Sequence, residues 1–183
     1  MKVFDSILSE DTVPVALSIG SNSGDRGWYI GQMELHLRYL FGAEVNVSSL
    51  METAPVEVTS GHPWYLNRII GSTYAGTPAD LLEACCSIER QLGRTGKGLR
   101  TVRTADIDVL LFGQRSVATD ELIIPHPGIL RRRFCLEGLM QIMPDAMIAG
   151  TGKTVREHYA NMTPSVKSQR MRFVVPQGEN HGD

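Results

Sequence analysis

The sequence predicts an α+β domain with a mostly antiparallel sheet and helices on its faces. Three observations carry that reading. Segments follow in the order strand–helix–strand–strand–helix–strand with short links, the split arrangement of a ferredoxin-like βαββαβ core. Helical segments place apolar residues at three- and four-residue steps, while strand segments are short and rich in β-branched or aromatic residues. The regular strand–helix alternation of a doubly wound parallel sheet is missing.

Pro14–Gly20 (PVALSIG) is an apolar run that breaks at Gly20–Asp25, a strand running into a turn. From about Trp28 to Phe41, Ile30, Met33, Leu37 and Leu40 form the stripe of an amphipathic helix. Glu44–Leu50, alternating around Val45 and Val47, and Tyr65–Tyr74 (YLNRIIGSTY) are expected strands. The second helix has the clearest signature. Thr77 stands at its cap, Pro78 at its first position, and Asp80 where a capping box places its acid. Leu81, Cys85, Ile88 and Leu92 then form its stripe, and Gly93 ends it. Asp106–Phe112 (DIDVLLF) is an apolar strand opened by two acids, and Gly113-Gln114 is expected to turn into Ser116–Thr119. Arg133–Met143 and Thr154–Tyr159 read as shorter helices, and Met171–Val175 as a late edge strand.

The chain has 183 residues, the length of one domain. It is expected to span residues 14–162, with an N-terminal extension at 1–13 and a C-terminal tail at 163–183. A net charge of −2 argues against nucleic acid or an anionic membrane as partner. No stretch approaches the roughly 18–20 apolar residues of a membrane helix. Asp5, Glu10 and Asp11 stand where a signal peptide would have its apolar core. Three cysteines without repeated spacing are neither a disulfide framework nor a zinc site, so a reducing, cytoplasmic setting is expected.

The chemistry concentrates around Asp106-Ile107-Asp108. Residues two apart on a strand share one face, roughly 6.5 Å apart along it. Carboxylates so placed repel unless a cation lies between them, and hard oxygen ligands suit Mg²⁺ bound to phosphates. Taken alone, the pattern also fits a solvated strand end. The preceding segment, GRTGKGLRTVR, brings Arg94, Lys97, Arg100 and Arg103. Acids for a divalent ion beside a glycine-containing loop of guanidinium groups are what polyphosphate chemistry requires. No P-loop is present. Arg131-Arg132-Arg133 follows Ile124-Pro125-His126-Pro127; three consecutive arginines cannot all face one way, and His126 is held between two prolines. A third group is apolar and amide-rich: Thr53-Ala54-Pro55-Val56 is extended, Tyr65 and Asn67 share a strand face, and Phe134 offers a second ring. Rings and amides of this kind suit a flat heterocycle, although each residue singly has a core-packing explanation.

Together these motifs resemble the 6-hydroxymethyl-7,8-dihydropterin pyrophosphokinase family of folate biosynthesis. The resemblance runs from about Val15 to Pro144. It rests on IGSN (19–22), TAP (53–55), YLN (65–67), IERQLGR (88–94), RTADIDVLLFG (103–113) and IPHP (124–127). It implies transfer of the β,γ-diphosphate of ATP to a reduced pterin's hydroxymethyl group, with release of AMP. It further implies two Mg²⁺ ions on Asp106 and Asp108, and Arg94 and Arg103 at the polyphosphate as catalytic groups. Glu89, His126 and Arg132, with both arginines, fall to ATP. Thr53, Ala54, Pro55, Val56, Tyr65, Asn67 and Phe134 fall to the pterin. The expected partners are small molecules, and the expected state is a monomer. The chain departs from the family at Arg100-Thr101-Val102, where Trp-Gly-Pro is frequent, and at Glu121, Ile123 and Pro127. Two rival readings use the same residues: a non-catalytic ferredoxin-like ligand-binding module, and a metal-dependent phosphotransferase with another acceptor.

Overall fold

A computed structural model describes residues 12–42, 44–55, 63–94 and 103–174. The elements run β1 (Val13–Ser21), α1 (Arg26–Phe41), β2 (Asn46–Val47), β3 (Met51–Thr53), β4 (Tyr65–Tyr74), α2 (Pro78–Gln91) and β5 (Asp106–Phe112). Then come β6 (Val117–Ala118), β7 (Ile123–Ile124), α3 (Arg133–Ile142), β8 (Met147–Ile148), β9 (Lys153–Thr154), α4 (Val155–Ala160), α5 (Pro164–Lys167) and β10 (Met171–Phe173). The main sheet has the order β10-β3-β4-β1-β5, with β2 also pairing β4, and every pairing is antiparallel.

The sheet is covered on both faces. Val15, Leu17 and Ile19 of β1 and Ile107 and Val109 of β5 pack on one side with Ile30, Met33 and Leu37 of α1 and Leu81, Cys85 and Ile88 of α2. On the other, Ala16, Met51, Ile69 and Leu110 pack against Cys135, Leu136 and Leu139 of α3 and Val155 of α4. Double coverage explains why β1 reads as a continuous apolar run rather than an alternating one. The capping box of α2 is present: Thr77 accepts from the Asp80 N–H, and Asp80 accepts from the Thr77 N–H. Gly93 beyond it has φ +81°, the left-handed conformation that glycine adopts without strain.

One expectation changes. The strand expected over Glu44–Leu50 is only Asn46–Val47, and pairing resumes at Met51. Ser48 is the reason: its hydroxyl accepts the Ile69 N–H at 2.9 Å and donates to the Ser49 carbonyl, displacing the regular ladder. Gly113-Gln114 turns as expected, and the Val117–Ala118 strand that follows pairs with β7. Thr119 holds that hairpin through backbone and hydroxyl bonds to Leu122. Beyond residue 162 the chain continues as α5 and β10, and β10 pairs with β3 at the sheet edge.

Candidate active site

The site lies where the sheet face shared with α3 runs past the first turn of that helix. In register, Gly20 of β1 stands opposite Asn67 of β4 on one side and Asp106 of β5 on the other. Two strand spacings put the amide and the carboxylate roughly 10 Å apart. A side chain at position 20 would block that row, because a Cβ there would lie 2.7 Å from Asn67 Oδ1. Glycine therefore lets the Asn67 carboxamide lie over the strand, between the Thr53 hydroxyl and the acid on β5.

At the acidic end, Arg103 Nη1 donates to both oxygens of Asp106 at 2.8 and 2.9 Å, and Arg94 Nη1 lies 2.9 Å from Asp106 Oδ1. Asp108, two residues on, shares the partly exposed face while Ile107 between them is buried. Burial and the neighbouring Asp108 charge raise the Asp106 pKa from its usual value, against the pull of Arg103 and Arg94. Such a pair favours additional positive charge. Arg103 is itself anchored: the buried Asn22 accepts its N–H at 2.6 Å and donates its own to the Arg103 carbonyl at 3.0 Å.

Glu89, on the last turns of α2, lies beneath this group. Its carboxylate accepts the Ile107 N–H at 2.7 Å and pairs with Arg94. Burial raises its pKa, partly offset by those two donors. Glu89 thus holds the middle of the Asp-x-Asp strand and one arginine. His126 Nδ1 accepts the Gly128 N–H at 3.0 Å, which assigns the ring proton of the neutral form to Nε2. His126 and Asp108 line one cleft with Leu82, Leu122 and Pro127. Arg132 Nη1 reaches Asp108 at 3.5 Å, whereas Arg133 turns to Glu137 and Arg131 is exposed.

At the other end, a second cleft brings together Thr53, Ala54, Pro55, Tyr65, Asn67, Arg132 and Phe134, together with Gln169, Arg170 and Met171. Asn67 Nδ2 donates to Thr53 Oγ1 at 2.8 Å, leaving its carbonyl oxygen toward Gly20. The structure thus assembles all the expected site residues except Val56, which, like Lys97 and Arg100, lies outside the described residues. The sequence reading missed Gly20, Asn22 and Gln169. The first two stand in the quoted IGSN segment, whereas nothing in the sequence marks Gln169.

Among the described residues, no group of three or more His, Cys, Asp or Glu side chains could hold a metal ion. Asp106 and Asp108 offer two carboxylates, and a divalent ion held there would need phosphate oxygens and water to complete its ligands.

An antiparallel sheet with helices on both faces and a carboxylate pair among arginines fit a phosphate-handling α+β enzyme. The profile of the 7,8-dihydro-6-hydroxymethylpterin-pyrophosphokinase (HPPK) family matches residues 16–144, and the chain belongs to that family. It is 36% identical over 149 residues to the 2-amino-4-hydroxy-6-hydroxymethyldihydropteridine pyrophosphokinase of Methylorubrum extorquens, covering 81% of this chain and 93% of that protein. The enzyme of the same name from Bacillus subtilis is 38% identical over 127 residues, 69% of this chain and 75% of its own. Among solved structures, wild-type Plasmodium falciparum HPPK-DHPS with pteroate superposes with a TM-score of 0.64 at 14% identity, covering 82% of this chain. This chain spans 44% of that longer protein, and the likeness bears on the fold.

Proposed function

We propose that this protein transfers the diphosphate of ATP to the hydroxymethyl group of 6-hydroxymethyl-7,8-dihydropterin, a step of folate synthesis, and releases AMP. The observation that supports it is the Asn67–Gly20–Asp106 row, which brings the cleft lined by Tyr65, Asn67 and Phe134 and the acid pair of β5 onto one sheet face. The pterin bicycle lies among Tyr65, Phe134, Thr53–Val56 and Asn67, its amide edge toward Asn67 and its hydroxymethyl arm toward Gly20. ATP takes the other end, with Glu89, His126, Arg94, Arg103 and Arg132 around it. Asp106 and Asp108 would hold two Mg²⁺ ions, which when bound neutralise the triphosphate.

The pterin hydroxyl oxygen forms a bond to the β-phosphorus, the bond from that phosphorus to the α–β bridging oxygen breaks, and the hydroxyl proton passes to solvent. The chain's residues align the two reactants; no side chain is assigned as general base. Arg94 and Arg103, now paired with Asp106, are placed to meet phosphate oxygens as the ion and nucleotide enter. The strand order supports a ferredoxin-like core, extended by β10. The protein acts as a cytoplasmic monomer on small molecules, without nucleic acid or membrane.

AMP formation, measured with and without hydroxymethyldihydropterin, tests this reading. Asp106→Asn or Asp108→Asn should leave the fold intact and less than about a tenth of the activity, a loss above ~1.4 kcal/mol in the barrier. AMP release independent of the pterin points to another acceptor, and its complete absence to a binding module.

A further inference from the structure

The first turn of α3 carries two site residues, Arg132 and Phe134, yet this helix begins without a cap of its own. Arg132 stands at the N-cap position and supplies no side-chain acceptor. An exposed helix start loses stability when its first N–H groups lack partners. Here the partner comes from the far end of the chain. Gln169 Oε1 accepts the Arg133 N–H at 2.9 Å, and Gln169 Nε2 donates to the Arg131 carbonyl at 2.6 Å. One planar amide thus brackets Arg132 from both sides. Arg133 adds a bond from its guanidinium to the Lys167 carbonyl at 3.0 Å.

The residues after Gln169 hold the opposite wall of the cleft. The Arg170 carbonyl accepts the Ala54 N–H at 3.0 Å, and Met171 pairs with Thr53. Segment 169–171 therefore ties the Thr53–Pro55 wall to the α3 wall and lines the cleft between them. Segment 169–171 itself lies beyond residue 144, where the family match ends.

We propose that Gln169 is a positioning residue for the pterin half of the site, an inference that rests on the function proposed above. It fixes the first turn of α3 so that Phe134 faces the cleft and Arg132 reaches Asp108. Contact with the substrate is not required of it.

Two variants test this. Gln169→Met keeps the length of the side chain and removes both hydrogen bonds; Gln169→Glu keeps the acceptor for the Arg133 N–H, an anion favoured at a helix start, but loses the donor to the Arg131 carbonyl and sets an oxygen against it. Steady-state kinetics should show the KM for hydroxymethyldihydropterin rising about tenfold in Gln169→Met, more than the KM for ATP, and rising by less, about threefold, in Gln169→Glu, which keeps one of the two bonds. Equal impairment of the two variants overturns the proposal. So does a lower melting temperature with an unchanged pterin KM, because the amide then serves stability alone. Should Gln169→Met fail to fold, a folded Gln169→Glu with an unchanged pterin KM also overturns it. Wild-type protein that forms no AMP from the pterin instead contradicts the proposed function.

Discussion

At the scale of single residues, the site depends on what each position lets its neighbour do. Gly20 separates an amide from a carboxylate. In Gly20→Ala the new methyl group displaces Asn67 Oδ1 and strains the Asn67–Thr53 bond. The expected outcome is a pterin KM raised about tenfold while the melting temperature falls little, checked by kinetics and thermal denaturation on the same samples. His126 behaves differently. Burial lowers its pKa, and although Asp108 and Asp106 favour its charged form and Arg132 opposes it, burial prevails. A depressed folded value means that its contribution to stability is present above about pH 6.5, the unfolded value, and is lost as pH falls through the folded one. Metal-free melting curves at pH 7.5 and 5.5 should therefore show a smaller acid penalty in His126→Asn than in wild type. An equal penalty contradicts this account.

At the scale of elements, close approach decides where α3 sits. A Cβ at Gly138 would lie 2.2 Å from Ile69 Cγ1 and 2.9 Å from Ile69 Cβ, so α3 rests on β4 through a glycine. Gly138→Ala must push the helix off the sheet, at about 1–3 kcal/mol, the usual range for overpacking. For a chain of this size that corresponds to a melting temperature lower by roughly 2–12 °C. Because Arg132 and Phe134 ride on the same helix, pterin affinity should fall with it, measurable by titration calorimetry with a nonhydrolysable ATP analogue. Helix α2 shows the opposite economy: its cap, its first-turn acid and its closing glycine are all local, and each was legible in the sequence.

At the scale of the whole molecule, the two helical layers and the sheet between them share buried contacts, so opening one face exposes the other. Cys135 reports on this. It is buried between α3 and the sheet, and burial pushes its thiol up to about 12. The thiolate needed for alkylation is therefore scarce in the folded protein. Iodoacetamide labelling of Cys135 across a denaturant series should follow the loss of circular dichroism; labelling well before that loss would show that α3 opens alone.

Another whole-molecule feature is the clamp on β10. Glu52 accepts from Arg26 at 2.8 Å and from Arg172 Nε at 2.7 Å, tying the start of α1 to the terminal strand. Arg170 and Arg172 both lie over the Trp64 ring. These contacts keep segment 169–171 against the cleft.

The sequence by itself determined the features whose cause lies within a few residues: the period of α1, the capping box of α2, the turn at Gly113, and the common face of Asp106 and Asp108. It also determined the family, because several short motifs keep their order along the chain. Only the tertiary structure decided that Gly20 stands between Asn67 and Asp106, since register across three strands is set by pairing, not by any one strand. Likewise, only it decided that Ser48 interrupts a strand and that Gln169 caps α3. Those bonds join residues 21 and 36 positions apart. A hydrogen bond of that span leaves no periodicity behind: its partners become neighbours only after the core has brought the strands and helices together.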